Sequence, residues 1–465
     1  MKQTARMRLR LFGLLIATLL LISGQATTVA SPQPAQAADS RALPSWAKSA
    51  TIYEVNVRQY TSQGTFNAFK KHLPRLKTLG VKVLWFMPIH PISESRRNGS
   101  LGSPYAVANY KAVNPEFGTI TDFKNLVKYA HSLGFKVVLD WVANHTGWDN
   151  VWINNAGWYT TVNGQIQPPN QDWLDVADLN YSNTDMRAAM IDAMKYWVTN
   201  FDVDGFRCDY ANGVPTSFWE DATTQLDAIK PMFMLAESEN VADELQHAFN
   251  GNYSWSLLSR MNGFANSGGD ASYFTNTLDS LNYNYPNGSF PMTFITNHDQ
   301  NSWNGTEYER LGAYVKRFSA LYFTVPGMPL IYSGQEVALN RRLQFFDKDQ
   351  ITWHSSNMTA FYQKLIKLKK NNAALWAGSS GGEFVQYDGT NPNVLTYTRE
   401  KGKSKVIVAI NLSSSKVTTR IDTGNSFKAT YFDYLTGKLV RVSKNSVTLS
   451  IPASSFTIYS TSKAN

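Results

Sequence analysis

Strand-like and helix-like stretches alternate along this chain for roughly 300 residues, and that rhythm limits the fold more than any other feature. Strands are predicted at Ala50 to Val57, Lys82 to Met87, Lys136 to Asp140, Val203 to Asp209, Met232 to Ala236, Met292 to Ile295 and Met328 to Tyr332. Helical spacing of apolar residues marks Phe66 to Leu79, Thr184 to Asn200, Phe218 to Ile229, Glu307 to Phe323 and Phe361 to Lys370. A further helix, capped at Thr121-Asp122, runs to about Leu133. The least marked strand, the sixth, is placed at Tyr253 to Leu257. Strands separated by helices pair in parallel, because a parallel neighbour needs a crossover. So many repeats predict a closed (β/α)8 barrel, the TIM barrel, over residues 38–378.

The pattern breaks twice. From His145 to Asp178 the chain makes an irregular excursion after the third strand, with an Asn163-Gly164 hairpin turn and a Pro168-Pro169 pair. It reads as part of the functional face. After the glycines and serines at 378–382, strand-like runs follow one another without helices, at Val394 to Thr398, Lys405 to Ile410 and Phe456 to Ser460. Residues 379–465 are therefore expected to form a C-terminal antiparallel β-sandwich.

Residues 1–37 read as a signal peptide: basic Lys2, Arg6, Arg8 and Arg10, an apolar run from Leu11 to Ile22, then Ala35-Gln36-Ala37. The apolar run is short for a membrane span, so secretion without stable membrane insertion is expected. Removing four basic and no acidic residues from a net charge of +9 leaves +5. That charge could hold the protein loosely to an anionic envelope. The basic residues form no dense patch of the kind that nucleic acid requires. Cys208 is the single cysteine, so no intrachain disulfide can form; alternation along its strand puts it on the apolar side.

The chemistry concentrates at strand ends. In V-D-G-F-R-C-D, from Val203 to Asp209, alternation puts Gly205, Arg207 and Asp209 on one face, with Phe206 and Cys208 on the other. A structural ion pair is one reading of Arg207 and Asp209. The other is a carboxylate held ionised by a neighbouring cation. Asp140-Trp141-Val142-Ala143-Asn144-His145, Glu237 and Asn297-His298-Asp299 also end strands of the series. In a barrel those ends meet on one face, so Asp209, Glu237 and Asp299 should surround one pocket. Glycosidic cleavage needs such carboxyls: one protonated to deliver a proton to the leaving oxygen, one ionised to attack or to activate water. Glu237, behind an apolar strand and near two aspartates, suits the first role, and Asp209, beside Arg207, the second.

Six ordered motifs carry a resemblance: D-W-V-A-N-H at Asp140 to His145, V-A-D-L-N at Val176 to Asn180, G-F-R-C-D at Gly205 to Asp209, L-A-E-S-E at Leu235 to Glu239, I-T-N-H-D at Ile295 to Asp299 and G-M-P-L-I-Y-S-G-Q-E at Gly327 to Glu336. The chain resembles the α-amylase family of glycoside hydrolases over nearly all of its length after residue 37. The resemblance implies a secreted enzyme cleaving α-1,4-glucosidic bonds in maltooligosaccharides or soluble starch, endo-acting, retaining and monomeric. Asp209 is implied as nucleophile, Glu237 as general acid/base, and Asp299 as the group that favours the distorted transition state. Substrate-binding positions are implied at Tyr105, His145, Arg207 and His298, with Arg207 holding Asp209 ionised, the two histidines donating to the central sugar and Tyr105 stacked under it. An alternative is a cyclomaltodextrinase- or neopullulanase-like hydrolase, or a glucanotransferase; a noncatalytic glycan-binding relative is the remaining reading. Retention predicts Asp209 and Glu237 carboxyls about 5–5.5 Å apart.

Asn212-Gly213 stands where many starch-degrading relatives have Lys-His, which alters the contacts expected on the leaving side. The resemblance also implies calcium, with Asn144 and Asp178 as ligands and a backbone carbonyl near Gly213. Oxygen donors from separate loops suit that ion. Glu336 reads as a salt-bridge partner at the barrel end and Asp140 as the support of Arg207. Trp148, Trp152, Trp158 and Trp173 read equally as a small core for the excursion or as a sugar platform.

Overall fold

The protein is described by a computed structural model covering residues 40–463; the predicted export signal lies outside them. Eight parallel strands close a barrel: β1 Ile52–Val55, β2 Val83–Phe86, β3 Lys136–Val142, β4 Gly205–Asp209, β5 Phe233–Ala236, β6 Gly251–Tyr253, β7 Phe290–Thr293 and β8 Met328–Tyr332. Ile52 sits opposite both Val83 and Leu330, which joins the last strand to the first.

Alternation along each strand sorts residues into two cores. Ile52, Val83, Trp85, Val138, Phe233, Leu235, Tyr253, Phe290, Met292, Met328 and Leu330 fill the interior. Tyr53, Leu84, Phe86, Leu139, Trp141, Phe206, Cys208 and Met234 pack outward with the helices. Cys208 thus lies on the apolar side, as its position in the strand predicts. Gly205 is required inside: a Cβ there would come within 2.1 Å of the Phe233 carbonyl oxygen.

Several predicted elements shift. The sixth strand is Gly251–Tyr253, and Trp255 opens a helix, Trp255–Ser267, instead of continuing the strand. Leu257, Leu258, Met261 and Phe264 are its buried face, so their spacing is helical. The seventh strand begins at Phe290, two residues earlier than predicted. Phe66 to Leu79 is two helices, Phe66–Lys70 and Leu73–Leu79, because Pro74 fits only a first turn. Glu307 to Phe323 breaks at Gly312, whose φ of +51° ends Glu307–Leu311 before Val315–Thr324 begins. The helix Ile120–Ser132 is capped by Thr119, boxed with Asp122, and not by Thr121.

Within the excursion, His145–Gly147 pairs antiparallel with Val176–Asp178. A second ribbon, Thr161–Val162 with Gln165–Ile166, turns at Asn163 and Gly164, both with positive φ. Beyond the barrel, six antiparallel strands form one sheet and Val417–Asp422 with Ser446–Ile451 a second. Ile407 and Ala409 of the larger sheet pack with Ile421 and Leu449 of the smaller. Arg399 donates to the Thr324 carbonyl and Arg317 to that of Asn411, bracing the sheet against the helix Val315–Thr324. Among the described residues no helix is long and apolar enough to cross a membrane.

Candidate active site

The C-terminal strand ends surround a cleft of about 550 Å³. Tyr105, His145, Asp209, Glu237, His298 and Asp299 all line it. Arg207 does not. Its side chain points into the barrel from β4, is sealed from solvent, and lies beneath the cleft. It is therefore a support for the carboxyls and not a substrate-binding position.

The reason is register. Asp140 on β3 sits opposite Arg207 on β4, and both point inward. Arg207 Nη1 is 2.8 Å from Asp140 Oδ1 and 2.9 Å from Asp209 Oδ1. Nη2 is 2.8 Å from Glu237 Oε1, within ion-pair range but off the hydrogen-bonding direction. Nε donates to the Tyr253 hydroxyl at 3.0 Å. Asp140 is held in turn by Trp85 Nε1 and the Tyr105 hydroxyl, each at 3.1 Å. One buried guanidinium therefore serves three carboxyls.

Glu237 continues the inward series of Phe233 and Leu235 one step past the end of β5. Its Oε2 accepts from the Tyr210 backbone N–H at 2.8 Å. Tyr210 follows Asp209 with φ 42°, a left-handed conformation uncommon for a bulky residue, and this turn aims its N–H at Glu237.

Burial raises the proton affinity of both carboxyls, and Arg207 only partly offsets it. Glu237 rises to about 8, pushed further by the charges of Asp209 and Asp299. Asp209 rises to about 6, with Asp140 adding to burial. Arg207 thus pulls Asp209 down, as expected from their adjacency, but does not bring it below the usual carboxylate range. Shared among three partners, it cannot cancel the loss of water. The two histidines differ. Burial lowers His145 to about 4, leaving it neutral. At His298 burial also opposes charge, but Asp299 and Glu54 overcome it, and the ring titrates at about 9.

The cleft walls are aromatic. Tyr105 stacks against His298, with centroids 5.4 Å apart, and against Phe345 at 6.1 Å. Phe345, Phe346 and Trp303 form a ledge beyond them. Trp173, packed near His145 and Tyr210, also lines the cleft, as does Trp255. The excursion tryptophans divide: Trp152 packs on Trp158 and Tyr110, Trp148 lies under Arg96, and only Trp173 reaches the cleft. Trp303, Phe345, Phe346 and Trp255 were not among the residues singled out from sequence. Trp303 alone carried a signal, four positions after Asp299 in the same strand-end loop.

Glu336 is buried and paired with Arg75 at 2.8 Å and the Tyr53 hydroxyl at 2.8 Å, a structural role. Asn144 and Asp178 lie outside the cleft lining. Asn144 Oδ1 abuts Gly213, where a Cβ would come within 2.5 Å of it. The Asn144 carbonyl accepts from Leu179, next to Asp178. Among the described residues no three His, Cys, Asp or Glu side chains gather to hold a metal. A cation here would therefore rely on one carboxylate with amide and main-chain oxygens, a hard donor set that fits calcium.

The profile of the α-amylase catalytic domain matches residues 44–175 and 169–388, and that of the α-amylase C-terminal all-β domain matches 384–462. The structure of a maltogenic α-amylase from Thermotoga neapolitana is 30% identical, with TM-score 0.81, over 89% of this chain and 98% of that one. An α-amylase structure from Lactobacillus plantarum is 28% identical, with TM-score 0.78, over 90% of this chain and 100% of that one. Among curated proteins, an α-amylase of Haloarcula japonica is 25% identical over 82% of this chain and 58% of its own length. A cyclomaltodextrin glucanotransferase of Geobacillus stearothermophilus is 28% identical over 77% of this chain and 55% of its own length. The chain thus spans little more than half the length of these two curated relatives. Matched across both its barrel and its C-terminal sheet, the chain belongs to the α-amylase family of glycoside hydrolases.

Proposed function

We propose that the protein cleaves α-1,4-glucosidic bonds with retention of anomeric configuration, acting on short or cyclic maltooligosaccharides and able to pass the glycosyl unit to a second sugar. The observation that supports retention is that Asp209 and Glu237 sit side by side on one guanidinium, Asp209 Oδ1 at 2.9 Å from Arg207 Nη1 and Glu237 Oε1 at 2.8 Å from Nη2. An inverting pair needs about 6.5–9.5 Å to admit water between carboxyl and anomeric carbon; a retaining pair needs about 5–5.5 Å.

Glu237 keeps its proton at neutral pH and Asp209 has released its own, the two states the first step requires. Glu237 gives its proton to the glycosidic oxygen as that bond breaks. The Asp209 carboxylate bonds to the anomeric carbon. Glu237, now ionised, takes a proton from an incoming hydroxyl, whose oxygen displaces Asp209 and restores the starting states. Asp299 lines the cleft beside His298, and in this reading it grips sugar hydroxyls as the ring flattens.

The preference for short or cyclic substrates and for transfer rests on two supports. The maltogenic and glucanotransferase relatives above carry those activities in their names. The cleft lining includes Tyr210, Asn212, Trp173 and Trp255 and no lysine or arginine, and such aromatic rings favour an acceptor sugar over bare water. We also propose that calcium is held by Asn144, Asp178 and the main chain at Gly213. Its charge would tie the excursion to the loop after β4.

The test is NMR of the products released from maltoheptaose and from β-cyclodextrin, with Asp209→Asn in parallel. Newly released α-anomer, ring opening and longer transfer products, all absent in the variant, are expected. β-Anomer would sink retention, and cleavage of starch with cyclodextrin untouched would return the protein to an endo-acting reading.

A further inference from the structure

Glu54 is an unassigned participant. It stands on β1 inside the barrel, fully buried, beneath the floor of the cleft. Its Oε1 is 2.5 Å from His298 Nδ1, and its Oε2 has no hydrogen-bond partner. On the other side of the ring, His298 Nε2 is 2.8 Å from the Tyr105 hydroxyl oxygen and 3.3 Å from Asp299 Oδ2. Asp299 Oδ2 is a carboxylate oxygen and can only accept, while the hydroxyl, 3.1 Å from Asp140 Oδ2, can give its proton there and accept from the ring. Both ring nitrogens therefore face acceptors. A neutral imidazole donates from one nitrogen only, while the imidazolium donates from both.

The surroundings agree in sign. Glu54 faces the ring from β1, Asp299 from its own loop, and Asp140 acts from β3. Arg207 is the cation among these groups, and it is already spread over three carboxyls. Trp85 closes the remaining side with its ring at 6.0 Å. His145, lining the same cleft, has no such carboxylate partner.

We propose that Glu54 is a positioning residue that keeps His298 an imidazolium across neutral pH, with its Nε2–H presented at the cleft floor between Tyr105 and Asp299. There it donates to a sugar hydroxyl and counters the negative charge of Asp299 and Asp140. This rests on the glycosidase reading of the cleft, but one arm of the test does not.

That arm is a titration of the histidine ring nitrogens by NMR without substrate, with His298 assigned by comparison with His298→Asn. The wild-type His298 midpoint is expected above pH 8, and in Glu54→Gln it should fall by about one pH unit or more. The second arm compares kcat/KM of Glu54→Gln with wild type at successive pH values. Activity near wild type at pH 5 should fall away at higher pH, by about tenfold for each unit by which the midpoint has dropped. A loss that is uniform with pH, with the His298 midpoint unmoved, overturns the proposal. So does a wild-type midpoint below 7, which decides the matter even if Glu54→Gln fails to fold. Failure of the glycosidase reading would instead show as correct titration in both proteins with no α-glucan turnover.

Discussion

Arg207 and Asp140 form an ion pair of 2.8 Å with both side chains sealed from solvent, under a cleft that carries two further carboxyls on the same guanidinium. Removing one member of a buried charge network leaves the others uncompensated, at a cost of about 3–5 kcal/mol. Arg207→Met is therefore expected to lower unfolding free energy by that amount in urea titration. It should also push the proton affinity of Asp209 further up. The surviving activity would then peak at higher pH than wild type. A variant with wild-type stability would mean that the carboxyls find water in place of Arg207.

The pH profile follows from the paired carboxyls. Asp209 must be ionised and Glu237 protonated in the free enzyme, and they rise to about 6 and about 8. A bell-shaped kcat/KM is expected, climbing through the lower value and declining through the upper, with its best activity near neutral pH. An optimum below pH 5 would contradict this assignment of acid and nucleophile.

Replacing Glu237 by Gln should abolish turnover yet stabilise the fold at neutral pH. An unfolded glutamate titrates near 4.5, and in the folded protein this one is raised to about 8. A carboxyl raised on folding contributes stability fully present below the unfolded value and lost as pH climbs through the folded one. Gln removes that loss. Melting temperature of Glu237→Gln should exceed wild type by about 2 °C or more at pH 8, with the gap closing near pH 4. Equal melting curves at every pH would show that Glu237 carries no burial cost.

The ledge of Trp303, Phe345 and Phe346 should hold sugar at one end of the cleft. Trp303 is 51% exposed in the free protein, so its ring is open to a ligand. Its loss removes a stacking surface worth about 0.5–1.5 kcal/mol. Trp303→Ala is expected to raise KM for maltoheptaose by roughly two- to tenfold, with kcat and the KM for maltotriose changed less. An equal effect on both substrates would place Trp303 against the central sugar.

Metal removal tests the proposed calcium. A ligand bound only by the folded protein stabilises it by mass action. Chelation should lower the melting temperature, added calcium should restore it, and Asn144→Ala should lose the response. A melting temperature indifferent to chelator in the wild type would remove calcium from Asn144 and Asp178.

Much of this arrangement could be read in the chain. Asp209, Glu237 and Asp299 announce themselves as polar residues ending apolar runs, and His145 and His298 follow from the motifs around them. Local alternation is enough to say that Arg207 and Asp209 share a face, because side chains in a strand repeat every two residues. The sixth strand was not legible: three residues long, it is followed by an apolar helical face that mimics its continuation. Pro74 and Gly312, by contrast, carry helix breaks that their chemistry explains.

What the sequence determined by itself was therefore the barrel, the C-terminal sheet and the strand-end carboxyls, each encoded by short-range periodicity. Tertiary structure alone decided who meets whom. Closing the ring brings Glu54 of β1 within 2.5 Å of His298, 244 residues away, and packs Phe345 on Tyr105. It also buries Arg207 beneath three carboxyls, so that desolvation outweighs the neighbouring charge and sets Asp209 and Glu237 apart. No local pattern carries such facts, because burial and strand closure are properties of the whole barrel.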